Sequence, residues 1–180
     1  MNVFIGCSSS QNISAEYLKV AKSVAQKLAA LQLDLVFGAA STSMMGECYR
    51  AFENSNVEAV TVKTYEDDLK NLPQAKSYLE KNTFCRLDKI YQLSDVFVIL
   101  PGGVGTLTEL ISILEELRTS KDPKLLIIYN YRGFFDKILN LFTDLKNQGF
   151  ISQELNNYYQ VVDNENKIIE LIKENYNERN

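Results

Sequence analysis

Val96-Phe97-Val98-Ile99-Leu100-Pro101-Gly102-Gly103-Val104-Gly105-Thr106-Leu107-Thr108-Glu109 is the stretch on which the fold turns. It opens with an unbroken apolar run, the pattern of a strand covered on both faces. It leads into Leu107, Leu110, Ile111, Leu114 and Leu117, which recur at helical spacing. Between them lies a window holding three of the chain's eight Gly and one of its three Pro. A tight strand-to-helix turn needs one or two Gly. Three in four residues let backbone N–H groups crowd toward an anion with no Cβ in the way. The following helix adds unpaired N–H groups and the positive end of its dipole, both of which favour phosphate. The window has no Gly-Lys-Ser/Thr and is not G-x-G-x-x-G, so a kinase, an ATPase and an ordinary dinucleotide dehydrogenase lose their main support.

Outward from this window, short apolar runs alternate with longer helical patterns. Strands are predicted over Asn2–Gly6, Asp34–Phe37, Val57–Val62, Val96–Leu100, Leu125–Tyr129 and Tyr159–Val162. Helices are predicted over Ala15–Leu31, Ser43–Asn54, Thr83–Gln92, Leu107–Arg118, Gly133–Gln148 and Asn164–Asn175. This alternation predicts an α/β fold with a mainly parallel sheet and helices on both faces. Ligands of such sheets bind beyond the carboxyl ends of the strands where the connection order reverses. That selects three loops: Cys7–Ser10, Gly38–Ser43 and Pro101–Thr106.

The 180 residues suit one domain, 1–180, with residues 164–180 as an acidic C-terminal helix and tail. The last 31 residues hold six acids and three bases. The formal net charge is −4 and no Lys/Arg stripe forms, so nucleic acid is not an expected partner. Zero His excludes Ser-His-Asp and Cys-His catalysis and every His-ligated metal site. Cys7, Cys48 and Cys85 lie about 40 residues apart with no CxxC pair. No metal site and no disulfide framework is expected, and all three read as small buried apolar residues. No charged n-region precedes Val3-Phe4-Ile5, and no apolar run approaches the ~20 residues of a membrane span. A cytoplasmic protein without membrane contact is expected.

Candidate site residues follow from the loops. Ser8, Ser9 and Ser10 offer hydroxyls after the first strand, and Ser41, Thr42 and Ser43 repeat the theme after the second. Gly102, Gly103, Gly105 and Thr106 form the anion window. Arg86, one of five Arg, is either a surface charge or a planar clamp for phosphate on a helix whose core stripe is Phe84, Leu87, Ile90 and Leu93. Glu109 closes a capping box, Thr106-Leu107-Thr108-Glu109, or sits in the first helical turn as a carboxylate able to stabilise an oxocarbenium-like sugar.

Four motifs together resemble the Lonely Guy (LOG) family of nucleotide phosphoribohydrolases, whose members are often mislabelled as lysine decarboxylases. They are Val3-Phe4-Ile5-Gly6-Cys7-Ser8-Ser9-Ser10, then Phe37-Gly38-Ala39-Ala40-Ser41-Thr42-Ser43-Met44-Met45-Gly46, then Arg86 nine residues before Asp95, and finally Pro101-Gly102-Gly103-Val104-Gly105-Thr106-Leu107-Thr108-Glu109, which matches PGGxGTxxE. The resemblance spans about residues 2–150. Ala39, Ala40 and Ser43 stand where the family carries Gly.

The resemblance implies a modified Rossmann-like fold and a homodimer. It implies hydrolysis of the N-glycosidic bond of a nucleoside 5′-monophosphate, the cytokinin-activating reaction in the family's sense, giving free base and ribose 5-phosphate without a cofactor. Arg86 and Glu109 fall on the family's catalytic positions. Ser8, Ser9, Gly38, Ser41, Gly102, Gly103, Gly105 and Thr106 fall on its substrate- and phosphate-binding loops. Molybdenum-cofactor carrier proteins share the fold and the glycine signature. A non-catalytic nucleotide or cofactor carrier, with Pro101–Glu109 cradling a pterin phosphate, is therefore the alternative.

Overall fold

A computed structural model describes residues 1–120 and 124–179. Among these, the strands β1 (Asn2–Gly6), β2 (Asp34–Phe37), β3 (Val57–Val62), β4 (Lys76–Glu80), β5 (Val96–Ile99), β6 (Leu125–Tyr129) and β7 (Gln160–Val162) form one sheet. Every pairing is parallel, in the order β4-β3-β2-β1-β5-β6-β7. The helices are α1 (Ala15–Ala29), α2 (Ser43–Ala51), α3 (Thr83–Leu93), α4 (Val104–Thr119), α5 (Asp136–Asn147) and α6 (Glu165–Arg179). The expected α/β, Rossmann-like architecture is therefore found, with Asn180 of the expected tail outside the described residues.

The sheet divides two apolar layers. Alternate residues of β1 show the division: Val3 and Ile5 face α1, α2 and α6, while Phe4 faces α3, α4 and α5. Central strands bury both faces, which is why β1, β2, β5 and β6 read as continuous apolar runs. From β1 the chain builds outward through β4, then crosses back to place β5 on the other side of β1. The connection order reverses between β1 and β5, so the carboxyl ends of these two strands frame the crevice. The Leu100 N–H donates to the Gly6 carbonyl at 2.8 Å and fixes their separation. At the opposite end, Asp95 accepts from the Asn2 N–H at 2.7 Å and anchors β1 beside β5.

Four expectations need correction. The strand Lys76–Glu80 and the 3-10 segment Lys63–Asn71 before it carry no apolar signature, because β4 is an edge strand with mostly exposed side chains. Helix α4 starts at Val104, not Leu107, with Gly103 as its N-cap. Thr106 therefore lies inside the first turn and Glu109 in the second, so there is no capping box. Phe84, in the first turn of α3, is 82% exposed instead of joining the core stripe. Cys7 and Cys48 are buried as expected, but Cys85, also in that first turn, is half-exposed.

The loop after β2 turns through left-handed conformations at Ala39 (φ 67°) and Ser43 (φ 56°), two of the positions where the resemblance has Gly. Such a conformation costs an L-residue about 1–2 kcal/mol. Ser43 recovers part of this by donating its hydroxyl to the Ser10 carbonyl at 2.5 Å, which ties the two loops together. Ala39 has only its burial to offer. Replacing a buried Ala by Gly ordinarily loses about 0.8 kcal/mol of methyl burial and about 0.5–1 kcal/mol of backbone entropy. At Ala39 the relieved strain offsets that loss. Urea unfolding should show Ala39→Gly within about 0.5 kcal/mol of the parent and Ala40→Gly less stable by about 1.3–1.8 kcal/mol.

Candidate functional site

A cavity of about 500 Å³ opens at the carboxyl ends of β3, β2, β1 and β5. The amino end of α4 forms one wall. Its first intrahelical bond runs from the Leu107 N–H to the Gly103 carbonyl at 3.0 Å, so the N–H groups of Val104, Gly105 and Thr106 have no helical partner. Gly103 and Gly105 line the cavity, and among the described residues, apart from chain neighbours and the helix's own backbone, nothing lies within 4 Å of a Cβ built on either. Gly102 differs: its Cβ would stand 2.1 Å from Thr106 Oγ1. The fold thus requires Gly102, whereas the openness at Gly103 and Gly105 faces the cavity.

Beneath the cavity lies an ion pair. Arg86 projects from the first turn of α3. Its Nη2 donates to Glu109 Oε1 at 2.7 Å and its Nε to the Val60 carbonyl of β3 at 3.1 Å. The side chains are 15% and 3% exposed. Room for them comes from two glycines at strand ends. A Cβ on Gly38 would lie 2.6 Å from Arg86 Nη2, and one on Gly6 would lie 3.1 Å from Glu109 Oε2. Glu109 Oε2 is buried and, among the described residues, has no hydrogen-bond partner. Burial pushes the Glu109 carboxyl above its ordinary value, and the Arg86 guanidinium offsets only part of that rise.

The structure brings together Ser8, Ser9, Gly38, Arg86, Gly103, Gly105, Thr106 and Glu109 on one cavity surface. Ser41 and Gly102 do not line it. The Ser41 carbonyl packs against Gly46, where a Cβ would come within 2.2 Å, so the Met-Gly ending of that loop is a packing requirement. The Ser8 hydroxyl accepts from the Ser10 N–H at 3.1 Å, and the Ser8 carbonyl accepts from the Met45 N–H at 3.3 Å. Sequence reasoning missed Thr83 at the start of α3, and Thr61, Val62, Tyr65 and Asp68, which line the cavity at the carboxyl end of β3. Their only signal was the run Thr61–Asp68 following a strand at its carboxyl end.

The model of a family described as "Possible lysine decarboxylase" matches residues 42–172. A protein of rice (Oryza sativa subsp. japonica) named as a probable cytokinin riboside 5′-monophosphate phosphoribohydrolase, LOGL2, is 24% identical over 177 residues, covering 96% of this chain and 72% of its own. A cytokinin riboside 5′-monophosphate phosphoribohydrolase of Arabidopsis thaliana, LOG3, is 24% identical over 155 residues, covering 83% and 71%. Among solved structures, a molybdenum cofactor carrier protein of Chlamydomonas reinhardtii superimposes with a TM-score of 0.67 at 17% identity, covering 96% of both chains.

The two kinds of glycine separate in experiment. Gly105→Ala should leave urea stability unchanged or raised by up to about 1 kcal/mol, since Ala suits a helix better. Calorimetry should show its affinity for ribose 5-phosphate reduced at least about tenfold, as a Cβ enters the anion's space. Gly102→Ala should instead cost about 1–3 kcal/mol of stability through its clash with Thr106.

Proposed function

The chain belongs to the Lonely Guy family, which carries the model description "Possible lysine decarboxylase", and from that premise we propose that it is a nucleoside 5′-monophosphate N-glycosidase acting as one domain. The observation that carries this reading is the buried Glu109 carboxylate, one oxygen held by Arg86 and the other unpartnered beneath the cavity. The Arg86 pairing offsets part of the cost of burying the carboxylate, and the second oxygen is left to face positive charge that develops above it.

In this reading the N–H groups of Val104, Gly105 and Thr106 hold the 5′-phosphate at the start of α4, with Ser8 and Ser9 facing it. The ribose lies over Glu109. As the bond from C1′ to the base nitrogen breaks, its electron pair leaves with the base. The Glu109 carboxylate stabilises the cation that forms at C1′. Water then adds across the broken bond, its oxygen to C1′ and a proton to the base. Arg86 acts as a positioning residue. It is committed to Glu109 and to the Val60 carbonyl, and it keeps the carboxylate ionised at lower pH than burial alone would allow.

Decarboxylation through a lysine Schiff base finds no residue to carry it: among the described residues, no lysine lines the cavity. The helix-start amides would accept the phosphate of a carried pterin, but such cargo gives the second Glu109 oxygen nothing to stabilise. We also propose that a second copy of the chain covers Phe84, Val104 and Ile111, which are 82%, 81% and 43% exposed on adjacent helices beside the cavity.

Purified protein incubated with a panel of nucleoside 5′-monophosphates should release free base. Glu109→Gln should retain nucleotide binding and lose at least about a hundredfold in turnover. Binding without base release from any nucleotide would favour the carrier. Because the ionised carboxylate is the working form, activity should fall with decreasing pH through a value above the roughly 4.3 of a free glutamate. Arg86→Met removes the offsetting charge and should move that limb to higher pH. Light scattering should give twice the 20.5 kDa chain mass, and Phe84→Asp with Ile111→Asp should give a single chain.

A further inference from the structure

The end of the cavity farthest from α4 is built by a segment with no part in the chemistry above. After β3 the chain enters the 3-10 segment Lys63–Asn71, kinked at Tyr65 (φ −116°, ψ 19°). Its three consecutive acids have different fates. Glu66 pairs with Lys63 and Asp67 pairs with Lys70. Asp68 lines the cavity and, among the described residues, forms neither a hydrogen bond nor an ion pair. Tyr65 lines the same end with its ring 61% exposed.

Topology fixes what this end would meet. The strand order across the cavity is β3-β2-β1-β5. With neighbouring strands about 4.8 Å apart, the end of β3 lies about 14 Å from the end of β5. A nucleotide with its phosphate at α4, beyond β5, and its ribose above Glu109, beside Gly6 of β1, must lay its base over the ends of β2 and β3. This placement rests on the proposed orientation of the phosphate.

An ionised carboxylate only accepts hydrogen bonds, and its two oxygens match two adjacent N–H donors. A guanine-type edge presents such a pair, a ring N–H beside an exocyclic amine. An adenine-type edge presents one amine beside a ring-nitrogen acceptor, whose lone pair opposes a carboxylate oxygen. We propose that Asp68 is the base-specificity residue of this site, selecting nucleoside monophosphates whose base carries adjacent N–H donors, with Tyr65 stacking on the base. Stacking on an aromatic ring is tolerant of base identity, so discrimination falls to Asp68.

Calorimetric titration of the wild type and Asp68→Asn with GMP, AMP and ribose 5-phosphate tests this. The wild type should bind GMP at least about tenfold tighter than AMP. Asp68→Asn should lose that preference, because an amide offers one acceptor and one donor and so matches the adenine-type edge. Ribose 5-phosphate, which has no base, should bind both proteins alike. An unchanged GMP-to-AMP ratio overturns the inference, as does an equal loss for ribose 5-phosphate. Base release by a wild type whose preference Asp68→Asn leaves unaltered would spare the hydrolase reading and sink only this one. An Asp68-dependent preference without base release would do the reverse. Binding of none of the three would sink both.

Discussion

The site depends on the pairing of Arg86 with Glu109 beneath the carboxyl ends of the strands. A carboxylate 97% removed from solvent is expensive unless an opposite charge meets it with good geometry. Arg86 does so at 2.7 Å and is itself steadied by the Val60 carbonyl. The pair occupies volume that side chains at Gly6 and Gly38 would otherwise fill. The ion pair thus excludes a side chain at Gly38, shares that role with Ile99 and Phe4 at Gly6, and couples helices α3 and α4 on one face of the sheet. Removing either partner would leave a buried charge alone, which typically costs about 3–5 kcal/mol.

This constraint organises the chemistry of the proposed hydrolase. The same burial that makes Glu109 costly strengthens its interaction with a cation forming above it. The pair also separates two electrostatic roles. In the proposed reading, backbone amides at the start of α4 would face the anionic end of the ligand without adding a titratable group, and the carboxylate would face the carbon that becomes positive. With no His in the chain, general catalysis by imidazole is absent, and these are the groups that remain.

Much of the fold was legible because the central strands bury both faces and the helices carry clear apolar spacing. Six of the strands and all six helices lie where their patterns place them, with ends shifted by a few residues. The Lys76–Glu80 strand was not legible, since an edge strand paired on one side needs no apolar run. Of the site, the Gly-dense window, Arg86 and Glu109 stood out. Their mutual hydrogen bond did not, because residues 23 positions apart meet only through the packing of two helices. The roles of individual glycines were hidden for the same reason. Gly6 and Gly38 are spaces for distant side chains, Gly46 clears a carbonyl and Gly102 clears a threonine, while Gly103 and Gly105 answer to nothing in the protein. Tyr65 and Asp68 were invisible because a short, charged 3-10 segment resembles any solvated loop.

The loop after β2 is one place where the resemblance has glycine and this chain does not. Ala39 and Ser43 hold conformations that Gly adopts freely, and the Ser43 hydroxyl converts one departure into a tether to the Ser8–Ser10 loop. The departures therefore alter the local backbone cost without removing any residue from beside Glu109. The central claim, that the site breaks a C1′–base bond and leaves the phosphate ester intact, is tested most directly by phosphorus NMR of a nucleoside monophosphate turning over on the wild type. The account predicts a ribose 5-phosphate resonance growing in step with free base, one for one. Inorganic phosphate appearing with intact nucleoside, or a spectrum unchanged at high enzyme and long times, would contradict it.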